Sequence, residues 1–410
     1  MPQRFLPPAV ISRRRWLAVS IASLGGTLSA CGGGGTFDVI TGVGTGGTGS
    51  FSSGAISGFG SIIVNNVRYD DTHASVRSDE GSVLSNAQLR LGMVVEVDAT
   101  DITTDAVGLR RARANSIQVR TEILGPIERI DVTLGVLTVL GQPVRTSAAT
   151  VFDDTVRGAL AGLVPGQVVA VFGQRDGQGV CVASRIELRA APDHYHVRGP
   201  VVAVELATQR LRLGEATVFY GQALREGEPG EVRVGSFATL ELASVPGVAG
   251  VWRAQRLEVR SAPLAGVLPS GKAQVELEGF ITAFTGPTQF SVSGVPVDAR
   301  NVSGTPANLG LNQHVEVKGQ LSNGVLIARE IEREEGKDRD GSGFEVEGRI
   351  TAIDTAAATL VLRGLVIRYA NARFEDGTRD QLRVGVKIDV KGRLASDGTS
   401  LDAVEIEFED

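Results

Sequence analysis

Cysteine, histidine and aromatic residues are scarce in this chain of 410 residues, which holds two Cys, four His and only 5% Phe, Trp and Tyr together. Two cysteines cannot make a disulfide framework, and four histidines leave little for a histidine-rich metal site. Positive charge is in slight deficit, with 41 Lys and Arg against 47 Asp and Glu. The formal net charge is −6, and residues 1–30 hold four Arg and no acid, so the remainder is more acidic than the whole. A nucleic-acid binder shows the opposite sign and stacked aromatics, so no nucleic-acid partner is expected. Glycine is abundant at 52 residues, beside an ordinary 42% hydrophobic and 21% charged content. Such a chain can fold, and at this length several modules are expected rather than one core.

Residues 1–30 read as a signal peptide. Arg4 and Arg13-Arg14-Arg15 form a basic head, followed by a weakly apolar run from Trp16 to Ala30. That run is too short to span a bilayer, which takes roughly 20 apolar residues. Leu28-Ser29-Ala30-Cys31 resembles the bacterial lipobox, which implies a diacylated Cys31 as membrane anchor. Ser12-Arg13-Arg14-Arg15-Trp16-Leu17 resembles the twin-arginine export motif, with Arg13 and Arg14 as its pair; an ordinary Sec signal is the alternative. Gly32 follows Cys31 in place of Asp, which by resemblance favours the outer membrane, facing the periplasm. Residues 31–50 read as a flexible tether, since ten Gly fall between Gly32 and Gly54. About 20 such residues reach roughly 25 Å. Gly42-Val43-Gly44-Thr45-Gly46-Gly47 fits GxGxxG literally, yet lacks the strand before and the helix after, so it is read as linker.

From residue 51 the chain repeats itself. Each unit opens on a glycine with Ile or Val two places on: Gly54/Ile56, Gly125/Ile127, Gly199/Val201, Gly279/Ile281 and Gly348/Ile350, spaced 71, 74, 80 and 69 residues apart. A middle landmark recurs as Leu89 to Gly92, Leu163 to Gly166, Val232 to Gly235, Leu309 to Asn312 and Leu382 to Gly385. A closing one recurs as Ala114/Ile117, Ala183/Ile186, Ala254/Leu257, Ala328/Ile331 and Ala403/Ile406. Repeated order of this kind marks tandem modules. We divide them as 51–120, 121–190, 193–261, 272–335 and 343–410.

Within each unit the apolar period is two, as in Val386-Lys387-Ile388-Asp389-Val390-Lys391, the pattern of a half-buried strand. The last unit divides into strands at Phe344 to Ile353, Thr359 to Leu362, Leu365 to Tyr369, Val386 to Gly392 and Leu401 to Phe408. Gly364 supplies a tight turn, and Asp376 to Leu382 one short helix. The fold class is therefore all-β, with five tandem OB-like small barrels, an open sandwich per unit being the competitor. The three-residue offset of Ala403 and Ile406 puts them on opposite faces of a regular strand, so a bulge is predicted there. Linkers such as Ala190-Ala191-Pro192 and Ser261-Ala262-Pro263 allow packed or bead-like modules.

Gly58-Phe59-Gly60-Ser61-Ile62-Ile63-Val64-Asn65-Asn66-Val67, with Leu140 to Val144 and Thr150 to Asp153, resembles a family of repeat-containing bacterial envelope lipoproteins known only as a domain of unknown function. The resemblance covers 51–408 and is clearest in the first two units; Asn66 stands where the family more often has glycine. It implies architecture and an envelope location, and no catalytic residues.

Little in the sequence carries chemistry. Asp338, Asp340, Gly341 and Glu347 match positions 3, 5, 6 and 12 of a calcium-binding EF-hand loop, but Gly336 at position 1 offers no ligand. The segment is read as a solvated acidic linker, with Asp338, Asp340 and Glu347 the only metal candidates. His194 and His196 share one face of a strand, too few ligands for a metal, and a strand entering solvent explains them. His73 is placed in a polar loop and His314 on a polar strand face. Cys181 reads as a core residue. Acidic residues are spread along strands as on solvated faces, so no catalytic residue and no cofactor is assigned. The expected role is non-catalytic binding or scaffolding of envelope proteins or polysaccharides. The alternative is a periplasmic metal-dependent or glycan-processing enzyme with its site between modules.

Overall fold

The computed structural model describes residues 49–226, 232–264, 267–268, 272–333 and 342–409. Arg13, Arg14, Cys31, nearly all of the tether, Asp338 and Asp340 lie outside the described residues.

Alternating strands close on themselves here rather than forming open sheets. In residues 123–189, Ile123–Asp131 pairs antiparallel with Val136–Val139, which pairs with Gln142–Arg145. Gln142–Arg145 runs parallel to Cys181–Arg189, whose other neighbour, Val168–Arg175, returns to Ile123–Asp131. This circuit of strands leaves no long edge exposed, as in a small OB-like barrel. The same circuit is made in 194–260, where His194–Glu205, Arg210–Leu213, Ala216–Phe219, Trp252–Arg260 and Phe237–Ala243 close in that order. In 274–333 it runs through Gln274–Gly286, Gln289–Val292, Val295–Asp298, Val325–Arg333 and His314–Ser322. In 342–409 it runs through Ser342–Asp354, Thr359–Leu362, Leu365–Arg368, Ser400–Glu409 and Lys387–Leu394. Residues 50–120 differ in one respect: the opening strand is split into Ser50–Ala55, paired with Val94–Ala99, and Gly58–Phe59, paired with Ile62–Val64. Among the described residues helix is confined to single 3-10 turns, one of them Arg379–Gln381 within the predicted segment.

The landmarks in the sequence are partners in space. The backbone N–H of Gly92 donates to the Ile56 carbonyl, Gly166 to Ile127, Gly235 to Val201, Asn312 to Ile281 and Gly385 to Ile350, all at 2.8 to 2.9 Å. Each donor sits at positive φ, between +64° and +91°, which is why the position is glycine or, once, asparagine. The bulge predicted at the closing landmark is present. Lys391 faces Glu405 but Gly392 faces Ala403, so Val404 is the extra residue, and Asn115, Ser184, Gln255 and Arg329 are its counterparts. The bulge restores the phase: Ala403 and Ile406 are both buried. Arg363 and Gly364, at φ +50° and +82°, make the expected tight turn, and Asn65 and Asn66, at +53° and +57°, make the same turn without glycine.

The barrels are packed against one another rather than strung as beads. Ser50–Ala55 runs parallel to Gln274–Gly286, Gly58–Phe59 parallel to Ser342–Asp354, and Ile123–Asp131 antiparallel to His194–Glu205. Side chains cross these seams as well: Ser184 Oγ donates to the Gly92 carbonyl at 2.6 Å, and Gln174 Nε2 to the Glu278 carbonyl at 2.9 Å. Burial then falls on both faces of many strands. The polar outer faces read from sequence as solvated are in part covered, and Glu96, Glu122, Glu187, Glu276, Glu316 and Asp389 are all buried.

Candidate functional site

Strand pleating decides which side chains reach the seams. Along His194–Glu205, Tyr195, Val197 and Val201 enter the barrel core, so His194, His196 and Arg198 point outward. The expectation of a strand entering solvent is not met, because neighbouring barrels cover that face. His196 is buried with Nε2 3.7 Å from Oδ2 of Asp79, while His194 is half-buried, 3.6 Å from Glu241 and 3.9 Å from Glu80. The two histidines thus face separate carboxylates and do not converge.

Two residues further along the same face is a residue the sequence reading missed. Arg198 is only 5% exposed, its Nε has no hydrogen-bond partner, and it makes no ion pair among the described residues. Its guanidinium lies 5.7 Å from the centroid of the Phe237 ring. The period-two pattern that puts His194 and His196 on one face puts Arg198 there too. Sequence could not reveal that the face is buried.

Arg198 borders a cleft of about 580 Å³ where residues of 50–120, 123–189, 194–260 and 274–333 meet. Other charges around it are held in pairs. Arg120 donates to both oxygens of Glu96, at 2.7 and 2.6 Å. Arg175 Nε donates to Glu122 at 2.6 Å, its Nη1 to the Gly179 carbonyl at 2.7 Å, and its Nη2 to the carbonyl of Arg198. Asp176 accepts from Arg145 at 3.4 Å and from two backbone N–H groups. Glu278 accepts from the Ala55 N–H at 3.1 Å. The carboxylates lining the cleft are therefore committed acceptors, and among the described residues Arg198 is the cleft's arginine without an ion pair.

A second polar seam joins 50–120 to 274–333. Arg110 pairs with Glu276, and the Tyr69 hydroxyl meets Ser52 Oγ at 2.5 Å, its pKa pushed up by burial. Glu316, 1% exposed, has an oxygen with no hydrogen-bond partner, and Lys318 Nζ is 3.8 Å away. Burial pushes its carboxyl up to about 8, against the pull of Lys318. His314, expected on a polar face, stacks on Phe280 at 4.7 Å between ring centroids, with Nε2 2.9 Å from Gln174 Oε1.

A third seam joins 50–120 to 342–409. Arg68 reaches Glu345, Glu347 at 3.1 Å and Asp389 at 3.0 Å. Glu347, the calcium candidate within the described residues, is thus paired with Arg68 and with Lys387 at 2.7 Å. Glu375, Glu405 and Glu407 place ligand atoms within 4.8 Å of one another, but Glu405 is bonded to Lys391 and Arg373, and Glu375 to Arg373. Cys181 is buried in its barrel, and burial pushes its thiol up to about 12, so it is an inert core residue.

Fold and seams together define an array of small closed β-barrels with a ligand-sized cleft at their junction. Three segments, 125–187, 278–332 and 347–407, match a family described as Domain of unknown function (DUF5666). Each falls within one circuit of strands. No curated protein matches this chain. A solved Drosophila structure, described as drosophila Unr CSD456, is 15% identical, covering 52% of this chain and 96% of its own, with a TM-score of 0.13.

Proposed function

We infer that this chain is a lipid-anchored protein of the bacterial cell envelope that binds an envelope polysaccharide or protein without transforming it. In this reading Cys31 carries the anchor, and the tether holds five barrels, 51–120, 121–190, 193–261, 272–335 and 343–410, on the periplasmic side of the outer membrane. The observation that carries the binding role is the inter-barrel cleft of about 580 Å³, within the size range of small-ligand sites. The pairing of Glu96, Glu122 and Asp176 with Arg120, Arg175 and Arg145 favours recognition over general acid–base work at those three carboxylates, since an acceptor held by a guanidinium is a poor proton shuttle.

Isolation of the lipidated protein from its own membranes tests this. A saccharide or protein of the envelope is expected to co-purify in fixed ratio and to come away chemically unchanged. Recovery of the protein alone, or release of a cleaved product, would contradict it.

A further inference from the structure

A buried cation without a counter-ion is costly. Desolvating a guanidinium costs more than contact with one aromatic face returns. Arg198 is in this position: 5% exposed, over Phe237, with an orphaned Nε and no ion pair among the described residues. A charge held at such cost has its partner supplied from outside. The backbone holds it there firmly, because Arg198 is hydrogen-bonded through its N–H to the Glu122 carbonyl at 3.1 Å and through its carbonyl to Arg175. Its strand is fixed on both sides, by Phe237–Ala243 and by Ile123–Asp131.

We propose that Arg198 is the anchor of a carboxylate-binding site in the inter-barrel cleft. This rests on the binding role inferred above and names the chemistry of the ligand. A planar guanidinium with free N–H groups matches a carboxylate through two parallel hydrogen bonds. Four carboxylates, Glu96, Glu122, Asp176 and Glu278, already border the cleft, so a dianionic phosphate meets more repulsion there than a ligand with one carboxylate does. Phe237 lies against the charge, and Pro200, Pro263 and Leu264 also line the cleft, apolar surface suited to the body of a ring-sized acid.

The test follows the Arg198 Nε–H resonance of the full chain, assigned through Arg198→Lys, during titration with glucuronate and benzoate; glucose and inorganic phosphate serve as comparators. At least one carboxylate is expected to shift that resonance saturably and slow its exchange with water, while glucose and phosphate leave it unchanged. Arg198→Lys is expected to bind about tenfold more weakly, and Arg198→Met about a hundredfold, in line with loss of charge-assisted hydrogen bonds. Arg198→Met keeps the apolar stem and removes the unpaired charge, so its thermal midpoint is expected to equal or exceed that of the parent. A resonance indifferent to both acids, or a clear fall in the midpoint of Arg198→Met, overturns the proposal and assigns Arg198 a structural role. Should an envelope component still co-purify in that case, the binding role stands and only the ligand chemistry fails.

Discussion

Replacing Arg68 with leucine is expected to destabilise the protein by about 3–5 kcal/mol at pH 8, the loss typical when one partner of a buried ionic group is removed. The single guanidinium holds Glu345, Glu347 and Asp389, and without it three carboxylates face one another in a seam where Asp389 is buried. Burial, reinforced by the neighbouring Asp389, already raises Glu345 to about 7. A carboxyl whose folded pKa exceeds its unfolded value stabilises the fold fully below about 4.5 and loses that contribution as pH rises through about 7. Removing the arginine raises the folded pKa further, so the deficit of Arg68→Leu is expected to shrink markedly at pH 5.5. Urea unfolding at the two pH values checks this. A loss under about 1 kcal/mol at pH 8, or one independent of pH, would mean that the seam contributes little.

The second large effect is a gain. Glu316 carries a folded pKa of about 8 because it is buried, so the native state binds a proton that the unfolded chain releases near 4.5. Stability linked to this group is fully present below about pH 4.5 and declines as pH rises through about 8. Glu316→Gln mimics the protonated carboxyl and is expected to raise stability at pH 8 by on the order of 3 kcal/mol, with little change at pH 5. Parent and variant curves from chemical denaturation would converge at low pH. A destabilised variant at pH 8 would show instead that the ion pair with Lys318 outweighs burial.

Much of the local architecture was legible because it depends on neighbours in sequence. Alternation of Val386, Ile388 and Val390 gave a strand observed as Lys387–Leu394, and the offset of Ala403 from Ile406 gave the bulge at Val404. Gly364 and the Gly385 landmark were readable because only certain residues tolerate positive φ. The seams were not legible, for a physical reason: an outward polar residue has the same pattern whether water or another barrel faces it. Arg68 and Glu345 are 277 positions apart, and nothing in either segment announces the other. The same holds for Arg198. Its place on one face with His194 and His196 followed from periodicity, but its burial and lack of a counter-ion depend on how the barrels dock. The break at Ile56 and Ser57, which lets one opening strand pair with two different barrels, also lacked a local signal.

Docking of the barrels into a single packed body creates the cleft. Residual dipolar couplings measured on the full chain address it directly, by comparing the backbone of 123–189 with that of 194–260. Tight packing predicts that one alignment tensor fits both barrels; two tensors of different magnitude would show that they tumble separately and that no fixed cleft exists between them.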